Sequence, residues 1–215
     1  SGFSETLRGH AKEDPGARDR FLAIMSQQAE RMSRLIDDLL SLSRIELNEH
    51  IAPSGEVDLA VTVMDVLDAL GPLAEERGVA VRTALPGKGA AVVAGDRDQI
   101  IQVAQNLVVN ALKYAGQGGQ VEVEVEPEAS VEEAIAPHRA GAARLTLLAP
   151  AHASAARYAV MRVSDTGPGI ARQHLPRLSE RFYRVEGQKG DGTGLGLAIV
   201  KHIVNRHRGG LMVES

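Results

Sequence analysis

Phe21, Met25, Gln28, Met32, Leu35, Leu39 and Leu42 recur at alternating steps of four and three residues, the spacing of a single helical seam. Ile24, Ala29, Ile36 and Leu40 widen it. Asp14 before Pro15 predicts the start of this helix, because the aspartate can cap free amides and proline suits a first helical turn. One helix cannot bury such a stripe alone. Phe3 and Leu7, four residues apart, read as the end of a partner helix, so residues 1–50 are expected to form part of a helical hairpin. The width of the stripe implies that two hairpins pair as a four-helix bundle, making the protein a homodimer. The alternative is a hairpin packed on the chain's own second domain.

Ile51 to Gly55, with Pro53, reads as a linker, and residues 56–215 as a second domain. The pattern there predicts a helix over 59–77, a strand near Val79 to Leu85, a short strand near Ala91 to Ala94, and a helix over 97–114 capped by Asp96. Val121, Val123 and Val125 alternate with glutamates, the mark of a strand with one buried face, and Tyr158 to Ser164 supplies another strand. The expected fold is α+β, a sandwich whose sheet has one wet face and is antiparallel or mixed. Residues 127–157, rich in Ala and Pro, read as an insertion of unknown role. Within it Ser130 and Glu133 have capping-box spacing, and Arg144 to Ala149 could form a strand.

At 215 residues with 44% apolar positions the chain can bury a real core, and with 3% aromatics and no Trp that core must be aliphatic. A net charge of -4 argues against a nucleic-acid binder. The absence of cysteine excludes disulfides and thiolate metal sites and fits a cytoplasmic setting. No run of apolar residues is long enough to span a bilayer, and a start at Ser1 rather than Met suggests a piece of a longer protein.

Three segments carry the chemistry. On the helix ending near Tyr114, Asn106, Asn110 and Lys113 share one face. Asn110 offers a hard amide oxygen to Mg²⁺, Asn106 can hold a coordinated water or second the metal, Lys113 supplies positive charge for phosphates, and the Tyr114 hydroxyl can donate a further bond. A helix with a solvated polar face would look the same. Asp165 ends a strand, followed by Thr166, Gly167, Pro168, Gly169 and Ile170. Its carboxylate can accept from the exocyclic amine of adenine, whereas guanine would present a carbonyl, acceptor against acceptor. An ordinary Asp-Thr-Gly turn is the alternative. A second run, Gly190, Asp191, Gly192, Thr193, Gly194, Leu195, Gly196 and Leu197, precedes an apolar helix over Leu195 to Val204, whose first amides can face phosphates. It lacks both the dinucleotide-binding glycine spacing and the P-loop lysine. Between the runs, Arg181 and Arg184 flank Phe182 and Tyr183, and one arginine reaching a phosphate competes with plain surface charge. Residues 185–193 have the composition of a mobile lid. None of the seven histidines, His10, His202 and His207 among them, sits in a recognisable acceptor setting, and all read as structural or surface residues.

Taken together these segments resemble the catalytic core of bacterial sensor histidine kinases with the GHKL, or Bergerat, ATP-binding fold. Asn106 to Tyr114 is similar to that family's N box, Asp165 to Gly169 to its G1 box, Arg181 to Arg184 to its F box, and Gly192 to Leu197 to its G2 box. Arg31 to Glu46 resembles the second helix of the family's dimerisation and phosphotransfer hairpin, and the stretch from the G1 box onward is similar to the phosphate-regulon sensor type.

The resemblance implies ATP and Mg²⁺ as ligands and Asn106, Asn110, Lys113 and Arg184 as catalytic residues. The nucleotide would be bound by Asn110, Lys113, Tyr114, Asp165, Gly167, Gly169, Ile170, Arg181, Gly192, Thr193, Gly194, Leu195, Gly196 and Leu197. It also implies transfer of the γ-phosphoryl to a histidine on the hairpin's first helix, then to an aspartate of a response regulator, in the cytoplasmic part of a membrane-anchored sensor. The acceptor motif and its acidic neighbour would lie upstream of Ser1, and the family's last strands beyond Ser215. Two rivals stand beside this reading. A chaperone or topoisomerase ATPase of the same fold would need a glutamate base on the N-box helix, and Val103 to Asn110 contain no acid. A degenerate scaffold that only dimerises and binds a regulator would not need the intact glycine runs.

Overall fold

The computed structural model describes residues 15–138, 141–150, 157–185 and 192–215; the expected partner helix around Phe3 and Leu7, the Asp14 cap, His10, Gly190 and Asp191 lie outside them. The chain divides into two units, Ser1–Leu40 and Ser41–Ser215. Helix α1, Pro15–Leu47, runs through the boundary. Within the first unit its apolar seam is uncovered, Met32 being 63% exposed and Met25, Ile36 and Leu39 also open. Within the second unit the same helix buries Leu42 and Ile45, at 1% and 3% exposure.

The second unit is built around a mixed three-stranded sheet. Its strands are β2, Ala80–Ala84, β4, Gln120–Ala129, and β6, Tyr158–Asp165, with β4 in the centre, parallel to β2 and antiparallel to β6. Alternation along β4 sets its two faces: Val121, Val123 and Val125 are buried while Glu122 is exposed and Glu124 and Glu126 are half-buried. The three valines join one apolar cluster with Val63 and Val66 of α2, Leu59–Arg77, and Ala104, Val108 and Leu112 of α3, Arg97–Tyr114. Helices therefore cover one face of the sheet, and each buried valine contributes about 1.5–3 kcal/mol of apolar transfer.

Both helices start where the sequence predicts, α3 with the predicted Asp96 cap and α2 with an aspartate cap that the structure adds. The Asp58 carboxylate accepts from the amides of Ala60 and Val61, and the Asp96 carboxylate from those of Asp98 and Gln99. Helix α2 stops at Gly78, whose φ of 62° only glycine adopts without strain.

Several expectations need correction. Gly55, assigned to the linker, opens β1, Gly55–Asp58, which pairs antiparallel with β3, Val92–Gly95, as a separate ribbon. The stretch read as an insertion is partly framework. Its first residues extend β4 to the buried Ala129, and Ser130 and Glu133 form the capping box of a single helical turn, α4, Val131–Ala134. Its strand β5, Arg144–Leu148, pairs antiparallel with the terminal strand β7, Leu211–Glu214. This is the strand expected over Arg144 to Ala149, one residue shorter, and only its partner could not be read from the sequence. A short 3₁₀ helix, Arg172–Arg177, and helix α5, Gly196–Arg206, complete the unit.

Candidate nucleotide-binding site

Helix α3 brings Asn106, Asn110 and Lys113 onto one side, all half-buried, with Tyr114 at its end. Three glycines from the two glycine runs then approach this helix so closely that a side chain would not fit comfortably. A Cβ on Gly196 would fall 2.9 Å from the Asn106 Oδ1, one on Gly192 3.1 Å from the Lys113 Nζ, and one on Gly167 2.4 Å from the Tyr114 carbonyl oxygen. Such approaches are what glycine permits and other residues forbid. The amide nitrogen of Asn106 donates to the Gln102 carbonyl at 3.0 Å, so its oxygen is the end turned toward the second glycine run. The Lys113 ammonium lies 5.0 Å from the Tyr114 ring centroid.

Asp165 closes β6 opposite Val121, and its Oδ1 accepts from the Gly167 amide at 2.8 Å. The turn is held further by Thr166, whose amide donates to the Gln120 carbonyl at 3.1 Å and whose hydroxyl accepts from the Gln120 amide at 2.9 Å. This ties the first glycine run to the centre of the sheet. Gly169 takes a φ of 73°, and the amide of Ile170 donates to the Ser215 hydroxyl.

The second run is organised by Gly194, whose φ is 74° and whose carbonyl accepts from the Phe182 amide at 2.9 Å. Phe182 itself has a φ of 62° and is largely exposed. Non-glycine residues in this region carry strain, and such strain gathers at functional loops. Thr193 turns its hydroxyl back to the Leu195 amide at 3.2 Å, Leu195 is fully buried, and α5 begins at Gly196 with Leu197 next. No side chain caps this helix. Helix amides of this kind, like the Lys113 ammonium beside Gly192, are suited to an anion.

The arginines divide. Arg181 hydrogen-bonds the Glu46 carboxylate rather than facing the glycine runs, while Arg184 is exposed. Tyr183 is fixed by His174 Nδ1 at 2.6 Å from its hydroxyl and by the Arg177 guanidinium 4.2 Å from its ring centroid. Two histidines read from the sequence as structural or surface residues have definite partners: His202 lies 3.3 Å from both the Glu46 and the Glu49 carboxylates. His207 accepts from the Asp96 amide at 3.1 Å and donates to the Ile203 carbonyl at 2.8 Å. Burial holds the His207 imidazole below its ordinary pKa. Glu46, in the last turn of α1, and Glu49, in the turn after it, are three residues apart, as are His202 and Asn205, but only the tertiary fold shows that they meet.

The chain belongs to the family described as histidine kinase-, DNA gyrase B-, and HSP90-like ATPases, whose pattern matches residues 95–215, more than half of it. The pattern of the His Kinase A phospho-acceptor domain matches residues 1–48, and the two together mark the catalytic core of a sensor histidine kinase. Among curated relatives, the phosphate regulon sensor protein PhoR of Pseudomonas aeruginosa is 31% identical over 218 residues, covering 100% of this chain and 43% of that protein. The sensor histidine kinase WalK of Bacillus subtilis is 30% identical over 216 residues, covering 99% of this chain and 31% of that one. The chain thus spans less than half the length of these relatives. Among solved structures, the histidine kinase AdeS of Acinetobacter baumannii shares the fold with a TM-score of 0.63 at 23% identity, over 95% of this chain and 81% of that one.

Proposed function

We propose that this chain binds ATP with Mg²⁺ between α3 and the two glycine runs, and that in the whole protein it passes the γ-phosphoryl to a histidine of the helical hairpin and then to a response-regulator aspartate. The observation that carries the reading is the approach of Gly196, Gly192 and Gly167 to Asn106, Lys113 and Tyr114. That cradle would be filled by any side chain, and its donors suit a nucleotide. Asp165 accepts from the adenine amine, with Gly169 and Ile170 shaping the base side. Lys113 and the amides of Gly194, Gly196 and Leu197 face the phosphates, with Thr193 and Leu195 fixing the loop. Asn110, seconded by Asn106, holds the Mg²⁺, which when bound neutralises phosphate charge. Arg184 and, once released from Glu46, Arg181 add positive charge at the reacting end.

Calorimetric titration with a nonhydrolysable ATP analogue tests this directly. Binding that requires Mg²⁺ and rejects GTP is expected; no heat, or equal affinity for GTP, contradicts it.

The uncovered seam of α1 supports a homodimer through the hairpin, since exposed apolar stripes of this size mark association surfaces. No described helix is long and apolar enough to cross a membrane. We assign the chain to the cytoplasmic part of an anchored sensor on the strength of its family. The similarity to PhoR favours phosphate signalling, while other sensor kinases, CusS of Escherichia coli among them, align at similar identity.

A further inference from the structure

Arg181 sits at a junction. Its neighbour Phe182 is bonded to the carbonyl of Gly194 in the second glycine run, yet its own guanidinium is paired with Glu46 near the end of α1. Glu46 is not held by Arg181 alone. His202 of α5 lies 3.3 Å from the same carboxylate and 3.3 Å from Glu49, and Asn205 donates to Glu49 at 2.5 Å. One turn on, Arg206 donates to the carbonyls of Asn48 and Ile51 at 3.2 and 3.0 Å, and its guanidinium lies 3.7 Å from Asp96. Ser41 donates to Gln102, the residue whose carbonyl holds the Asn106 amide. Residues 41–51 are therefore fastened to the two helices that flank the nucleotide site.

We propose that Glu46 acts as a latch: it withholds Arg181 from the nucleotide phosphates, so that nucleotide binding and docking of residues 41–51 compete for one guanidinium. The latch rests on the reading that Arg181 takes a phosphate. A guanidinium fork engages one carboxylate or one phosphate well, and the phosphate carries more charge. The Arg181 and Glu46 side chains are partly exposed, so the pair is weak enough for bound nucleotide to break. Linkage is reciprocal: whatever nucleotide gains from Arg181 it takes from the docking of the helix end. A signal that moves this end of α1 would thereby change nucleotide affinity, and bound nucleotide would loosen the segment.

The test measures binding of a nonhydrolysable ATP analogue with Mg²⁺ to wild type, Glu46→Gln, Arg181→Gln and the double variant, each checked for an unchanged melting temperature. Glu46→Gln is expected to bind about three-fold tighter, the scale of one exposed ion pair. Glu46→Ala, which leaves no amide to replace the carboxylate, should agree in sign. Arg181→Gln should bind more weakly, and the double variant should match it, because the latch acts only through Arg181. Amide exchange at residues 44–51 should quicken when wild type binds nucleotide and stay constant in Arg181→Gln. Unchanged or weaker binding by Glu46→Gln, or tightening that survives without Arg181, overturns the latch. Normal binding by Arg181→Gln overturns both the latch and the phosphate role of Arg181 while sparing the ATP site; no binding by any variant overturns the ATP reading itself.

Discussion

Helices α2 and α3 open on aspartates whose carboxylates occupy their first amides, whereas α5 opens on a glycine run that leaves its first amides without a side-chain cap. The same backbone problem, unpaired N–H groups at a helix start, is met by a capping residue in two places and by no side chain in the third, where we propose that phosphates bind. The open start is also the one beside Lys113 and Asn106. The difference separates scaffold from site: capped ends should matter for folding and little for binding, and the open end the reverse.

The sharpest way to break this comparison is at Asp165, the carboxylate proposed to take the adenine amine. Asp165→Asn keeps an oxygen for the Gly167 amide but loses the charge, worth about 1.5–3 kcal/mol in a charge-assisted bond. Calorimetry should therefore show affinity for the ATP analogue falling on the order of 100-fold. At the open helix start, the helix preference of alanine in Gly196→Ala should offset the shift that its Cβ forces on the Asn106 side chain, leaving the melting temperature nearly unchanged. Its Cβ would crowd the Asn106 Oδ1, and affinity should fall about ten-fold, near the cost of one hydrogen bond. The capped end should behave oppositely: Asp96→Ala is expected to cost about 1 kcal/mol in chemical denaturation while the folded protein binds the analogue normally. A variant that lost binding and kept its stability would reverse the assignment.

The smallest effect concerns His207, which receives the amide at the Asp96 cap. Its pKa is lowered by burial, so the folded protein favours the neutral ring and the unfolded chain binds more protons near and below the ordinary value. Stability from this group is complete above about pH 6.5 and is lost as the pH falls toward the lowered folded value. His207→Gln should flatten the dependence of melting temperature on pH in that window.

Much of the fold could be read from the chain because local signals agreed with it. The spans of α2 and α3 were legible, the latter with its Asp96 cap, and so was the buried face of β4 from its alternating valines. The pairing of β5 with β7 could not be read, because two strands of five and four residues carry no periodicity and their partnership spans more than sixty positions of sequence. In the site, glycines at 167, 192, 194 and 196 were visible as motifs, but which atoms each would crowd is a tertiary fact. The Glu46 pairing of Arg181 was hidden for the same reason: charge pattern shows that an arginine needs a partner and leaves open which carboxylate the fold supplies.

Backbone amide NMR during titration with the Mg²⁺-bound ATP analogue tests the separation of scaffold from site most directly. Shifts at 106–114, 165–170 and 192–198, joined by those at 44–51 and 181–184 that release of Arg181 from Glu46 adds, with the capped starts at 59–61 and 97–99 unmoved, are the predicted result. Binding that left the α5 start silent, or that moved the capped ends instead, would contradict it.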